Sequence, residues 1–203
     1  MSGATIEYSG QKSYKVRLGN TARELPVVRV SENIWIASDA EVILGDVEFI
    51  EAAARMLADR VREYVPEVIL TAEAKALALA YEVAKQLGHS EMIVARKSIK
   101  AYMTDYISEE CISITTREKQ TLVLARESAE KLVGKRVCIL DDVVSTGGTI
   151  NALEKLAMRA GGKVVCRAAI WLEGPWYSGK LIYLDRLPIF LRDQRQLPKA
   201  RSN

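Results

Sequence analysis

The chain has 203 residues, 49% hydrophobic and 27% charged, enough for one sizeable core and short of the usual two-domain length. With 29 Lys and Arg against 26 Asp and Glu, the net charge of +3 is too small to argue for nucleic-acid binding. A single histidine, His89, excludes a multi-histidine metal centre.

Residues 14–17 and 26–37, rich in Val and Ile, predict short strands. From Gly45 to Tyr64 the apolar residues Ile50, Ala53, Ala54, Leu57, Ala58 and Val61 recur at the spacing of one helix, which Pro66 ends. Val68–Thr71 reads as a buried strand. Ala76–Leu87 reads as a second helix, stopped by Gly88 with His89 at its end, and Met92–Ala95 as the next strand. Residues 100–126 are polar and irregular, yet alternation in 111–115 and 120–124 around Arg117-Glu118-Lys119 predicts a hairpin with a mobile lead-in. A strand at Val137–Leu140, a helix with apolar positions Ile150, Leu153, Leu156, Ala157 and Ala160, and strands at 163–172 and 181–184 complete the pattern. Strands alternating with helices predict an α/β fold with a central, mostly parallel, twisted sheet and helices on both faces. The basic stretch 192–201 reads as a frayed, solvated end. Three cysteines show no CxxC spacing, and Cys138 and Cys166 sit in apolar runs, which favours a reducing cytoplasm. No signal peptide and no apolar run of membrane-spanning length is present, so a cytoplasmic protein without a membrane partner is expected.

Residues 137–150 carry most of the chemistry. The apolar strand ends in Asp141 and Asp142, followed by Val143 and Val144, and then Ser145-Thr146-Gly147-Gly148-Thr149 opens a helix. Glycines let a ligand approach the backbone, and free N–H groups at a helix start attract phosphate. Three hydroxyls add donors. The ionised aspartates only accept hydrogen bonds, which suits sugar hydroxyls or a hydrated cation, and the pair is expected to lie exposed. Together these parts describe a pocket for a sugar phosphate. Neither GxxxxGK[ST] nor GxGxxG occurs, so the common ATP and dinucleotide fingerprints do not compete.

This stretch resembles the signature of the type I phosphoribosyltransferases that binds PRPP, 5-phosphoribosyl 1-diphosphate. The likeness to the adenine enzymes runs from about Val68 to Ile170. It is best at Glu73-Ala74, Ala95-Arg96-Lys97, the signature itself and Gly161–Val165. The resemblance implies a single domain over 1–203, with about 1–40 and 171–203 forming a hood, and a flexible loop hairpin over the site. It also implies a Mg²⁺-dependent purine salvage enzyme converting adenine and PRPP to AMP and diphosphate. The metal would be held mainly by PRPP and water rather than directly by protein. Glu73, Ala74, Lys75 and Ala76 would meet the diphosphate. Arg96, Lys97 and Lys100 would answer its charge, in many relatives from the neighbouring subunit of a homodimer. Asp105, Glu109 and Glu110 are open candidates for a loop carboxylate that assists proton transfer. Trp35, Ile36, Ala37 and Ser38, with Val143, Val144, Trp171, Trp176 and Tyr177, are candidates for the base side. Serine at 145 replaces the aspartate of the hypoxanthine-guanine enzymes, which favours adenine. A xanthine or guanine enzyme and a non-catalytic PRPP-binding regulator remain alternatives.

Overall fold

The computed structural model describes residues 4–112 and 119–192. Arg117-Glu118 and most of the expected frayed end therefore lie outside the described residues. The N-terminal third holds β1 (Thr5–Glu7), β2 (Ser13–Leu18), β3 (Thr21–Ser31), β4 (Ile34–Ala37), α1 (Ala40–Gly45) and α2 (Val47–Val61) with a 3₁₀ turn at Arg62–Tyr64. There follow β5 (Val68–Ala72), α3 (Leu77–Gln86), β6 (Ile93–Ala95), β7 (Tyr106–Ile112), β8 (Lys119–Ala125) and α4 (Arg126–Glu130). The last elements are β9 (Arg136–Val144), α5 (Gly148–Arg159), β10 (Lys163–Glu173), β11 (Ile182–Leu187) and β12 (Ile189–Leu191). Among the described residues no helix is long and apolar enough to cross a membrane.

The central sheet has the order β11-β10-β9-β5-β6 and is parallel throughout. Its inner strands are continuous apolar runs because helices cover both faces. Along β9, Cys138 and Leu140 join one core with Phe49, Leu57, Leu79 and Val83 of α2 and α3. Val137 and Ile139 join the other core with Ile150, Leu153 and Leu156 of α5. The chain runs outward from β5 to β6 and, in the opposite direction, from β9 to β10 and β11. The order therefore reverses between β5 and β9, and the crevice beyond their carboxyl ends is where such sheets take ligands.

A second sheet, ordered β1-β12-β4-β3-β2, is built from both ends of the described chain. Trp35, Leu25 and Phe190 carry its inner face into the first core, so the two sheets share apolar packing. β1 and β12 pair in parallel over three residues each, too short to show a period in sequence.

Two expectations change and a third is sharpened. The helix expected over Gly45–Tyr64 forms as α2 with its 3₁₀ turn, its start fixed by Asp46, which takes an extended conformation and caps it, while α1 before it was not expected. Asp46 Oδ1 accepts the Phe49 N–H at 3.0 Å, and Arg23 from β3 pairs with Asp46 at 2.5 Å. The acidic pair does not end its strand: β9 runs on to Val144, since β10 continues the ladder opposite Asp141, Val143 and Val144. The hairpin within 100–126 forms, but its described strands are packed rather than irregular. Cys111, Leu122 and Leu124 are buried in the second core, and backbone bonds of 2.8 Å in both directions tie Val123 to Arg96.

Candidate functional site

A cavity opens at the carboxyl ends of β5 and β9, and α5 begins at its wall. Gly147 caps α5 with φ +85°, in the left-handed region, and supplies no side-chain cap. A Cβ there would run into the Tyr177 ring, so glycine is required on two counts. The first turn of α5 holds no acidic residue. The N–H groups at this helix start thus face the cavity's loop without a side-chain acceptor, the arrangement that binds an anion. Ser145, Thr146, Gly147, Gly148 and Thr149 all line the cavity, and the Ser145 Oγ is buried without a hydrogen-bond partner.

Asp141 and Asp142 line the same cavity but are 9% and 6% exposed, which corrects the expectation of an exposed pair. Their position inside β9, laddered to β10 at Asp141 and Ala169, goes with the burial. Asp141 Oδ1 accepts the Asp142 N–H at 3.0 Å. Burial, and then the neighbouring Asp142 charge, push the Asp141 carboxyl well above the usual carboxylate range. Lys75 Nζ stands 3.4 Å from Asp142 Oδ2, and that buried oxygen has no hydrogen-bond partner. A buried carboxylate oxygen with one lysine near it and no hydrogen bond, beside a second carboxyl, fits a hydroxyl donor or a hydrated cation. Among the described residues no three metal-ligating side chains converge. Asp141 and Asp142 would face such a cation.

The loop between β5 and α3 supplies the opposite wall. Ala72, Glu73, Ala74 and Lys75 line the cavity, while Ala76 is buried at the uncapped start of α3. Glu73 is occupied within its own chain: it accepts the Lys97 N–H at 2.6 Å and pairs with Arg96 Nε at 2.7 Å. Lys97 lines the cavity. Arg96 does not, being drawn to Glu73, and Lys100 is held by Ser98 Oγ at 2.6 Å away from it.

The structure does not bring Asp105 or Glu109 to the cavity. Glu109 pairs with Arg159 of α5 at 2.6 Å, and Asp105 with Arg126 at 3.5 Å. Trp35 is also elsewhere, stacked on Tyr8 at 3.9 Å within the second sheet. Ile36, Ala37, Ser38, Val143, Val144 and Trp171 do line the cavity. Trp176 packs beside Ile36 and Ile189, and Tyr177 covers Gly147, both outside the lining.

Glu173, the last residue of β10, escaped the sequence reading. It is 6% exposed and lines the cavity with Trp171 and Leu187. Burial pushes its carboxyl up to about 7. A carboxylate ending an apolar run just before Gly174, as Asp141 follows Val137–Leu140, is the signal that marks it.

Residues 41–178 match the model of the phosphoribosyl transferase domain, and the chain belongs to that family of pentosyltransferases. Over 139 residues it is 34% identical to an adenine phosphoribosyltransferase of Thermosipho africanus, covering 64% of this chain and 73% of that one. Over 114 residues it is 30% identical to the purine biosynthesis transcriptional repressor PurR of Bacillus subtilis, covering 56% of this chain and 39% of the repressor. A crystal structure of adenine phosphoribosyltransferase from Thermoanaerobacter pseudethanolicus superposes with a TM-score of 0.65 at 23% identity. That match covers 80% of this chain and 95% of the other, and it bears out the type I α/β fold.

Proposed function

We propose that the chain transfers the phosphoribosyl group of PRPP to a purine, adenine first among them, forming AMP and diphosphate. The observation that carries this reading is the acid-free, glycine-capped start of α5 beside two buried carboxyls at the sheet's reversal point. The 5′-phosphate would rest on the backbone N–H groups of residues 146–149 and the hydroxyls of Thr146 and Thr149. Asp141 and Asp142 would meet the ribose 2- and 3-hydroxyls, and the negative charge on the pair, which Lys75 approaches at Asp142, would favour the oxocarbenium-like transition state. Lys75 and Lys97 would meet the diphosphate. Mg²⁺, when bound, supplies charge neutralisation at the leaving diphosphate. No protein nucleophile is needed. Holding base and ribose in line contributes on the order of 7–11 kcal/mol to such a reaction.

The base would lie among Ile36, Val143, Val144, Trp171 and Leu187. Asp105 and Glu109 pair with arginines and do not line the cavity, which speaks against their serving the base in this conformation. The N-terminal strands and the segment after β10 make one hood over a single domain, because their side chains share the first core. Exposed Ile99 and Tyr102 beside the cationic stretch 96–100 support a homodimer, which analytical ultracentrifugation would test. Three buried free thiols suit a reducing cytoplasm.

The test is diphosphate release with PRPP, Mg²⁺ and each of adenine, hypoxanthine, guanine and xanthine. Release with adenine supports the reading. Release only with guanine or xanthine replaces adenine as the substrate. PRPP binding without release from any base would favour a non-catalytic PRPP-binding regulator, a reading that the partial likeness to the repressor keeps in play.

A further inference from the structure

Glu173 is a buried acid to which the reading above gives no role. It ends β10, two strands from β5, and pairs in register with Leu187 of β11. Leu187, Trp171 and Ile36 line the same cavity, and Ser145, Lys75 and Asp142 are near enough to act on its carboxyl. Among the described residues no cation lies within ion-pair distance of it. The Ser145 hydroxyl is close enough to favour the ionised form, without a hydrogen bond of normal geometry. A buried polar group left without a partner costs stability, and a ligand that supplied one would bind with that gain.

We propose that Glu173 reads the base, its carboxyl pairing with an edge on which an acceptor ring nitrogen stands beside an exocyclic amine. This rests on the phosphoribosyl-transfer reading above. A protonated carboxyl offers one donor and one acceptor side by side. Adenine presents the complement on both sides of its amine, at N1 and at N7, so the match does not depend on which edge turns inward. Guanine presents two adjacent donors, N1–H and the 2-amine, which suit an ionised carboxylate instead. The protonation state of Glu173 therefore selects between the two bases.

The surroundings favour the protonated form near neutral pH. Burial raises the carboxyl to about 7, and the Asp142 charge adds to the rise, while Ser145 and Lys75 oppose it. Asp39, Glu73, Lys97 and Asp141 are the other charged or titratable groups on the cavity wall. Glutamine carries an amide donor beside a carbonyl acceptor, so Glu173→Gln fixes the hydrogen-bond pattern of the neutral acid at every pH.

The experiment is calorimetric binding of AMP, GMP and ribose 5-phosphate to the wild type, Glu173→Gln and Glu173→Leu, at pH 6.5 and 8.5. Ribose 5-phosphate lacks a base and corrects for titration of the phosphate. Relative to it, wild-type AMP affinity should fall several-fold between pH 6.5 and 8.5. Glu173→Leu should weaken AMP at least tenfold at pH 6.5, and Glu173→Gln should restore that affinity and abolish the pH dependence. The proposal is overturned if Glu173→Leu leaves AMP affinity unchanged, or if the wild type prefers GMP and Glu173→Gln reverses that preference. Failure of ribose 5-phosphate itself to bind any variant would sink the underlying reading of the site, and this proposal with it.

Discussion

The start of α2 and the start of α5 solve the same problem in opposite ways. At α2, Asp46 caps the helix, Glu48 sits in the first turn, and Arg23 pairs with both. Hydrogen bonding from Arg23 holds the Asp46 carboxyl below the usual range, burial opposes, and the Phe49 N–H adds to the lowering. Every charge there has a partner. At α5 the cap is a glycine, the first turn has no acid, and the nearby acids Asp141 and Glu173 are pushed up by burial. α3, which starts at the opposite wall of the cavity, likewise has no side-chain cap and no acid in its first turn. A helix start saturated by its own side chains is a structural joint. One left without a side-chain cap beside buried carboxyls leaves its N–H groups for a ligand.

Replacing the acids tests that contrast most severely. Asp141→Asn with Asp142→Asn should lower turnover by roughly 100-fold or more, with the circular dichroism spectrum unchanged. Full activity in that double variant would remove the pair from the chemistry.

Next comes the cost of burying Glu173. Its folded-state carboxyl lies above the ordinary 4.5, so the wild type loses stability as pH rises from 4.5 to about 7, and the deficit then stays. Glu173→Gln should match the wild type at pH 4 and exceed it at pH 8 by on the order of 2–3 kcal/mol in urea denaturation. Equal stability at both pH values would mean that the acid is not strained.

A carboxylate introduced at the open helix start should separate folding from binding. Thr149→Glu puts an acid into the first turn of α5, as Glu48 does in α2. The helix should gain a few tenths of a kcal/mol, while PRPP affinity should fall about tenfold, or roughly 1.4 kcal/mol. Titration calorimetry with PRPP beside a melting curve reads both signs at once.

The smallest effect belongs to the saturated end. Asp46→Ala should cost about 1 kcal/mol of stability through the lost cap and leave turnover alone. Because the Asp46 carboxyl is lowered in the folded state, that loss should be full above the unfolded value of 3.8 and vanish as pH drops through the folded one. A drop in PRPP turnover at neutral pH would mean that the two helix starts are not independent.

The parts of the fold nearest the site were the most legible. β5, α3, β9 and α5 each carry an unbroken period or apolar run, and the glycines and hydroxyls of 145–149 state their chemistry locally. What escaped depends on partners distant in the chain. α1 is too short to show a period, and the cap at Asp46 that separates it from α2 is held by Arg23, 23 residues earlier. Glu109 read as a candidate for the reacting centre, but Arg159, 50 residues later, holds it on α5. Glu173 owes its place on the cavity to β11, where Leu187 pairs with it, and to Ile36 of β4 on the same wall. Lys97 reaches the cavity where Arg96 does not, because Glu73 claims the arginine, and no spacing rule foretells which neighbour wins.

Tyr177 lies across Gly147, and the same ring also leaves no room for a Cβ at Gly179. These three positions are thus linked in what they tolerate. Gly179 keeps an ordinary backbone angle, so a library of random variants should accept alanine there chiefly in company with a smaller residue at 177. Position 147 should refuse even that relief, because its φ of +85° disfavours any side chain.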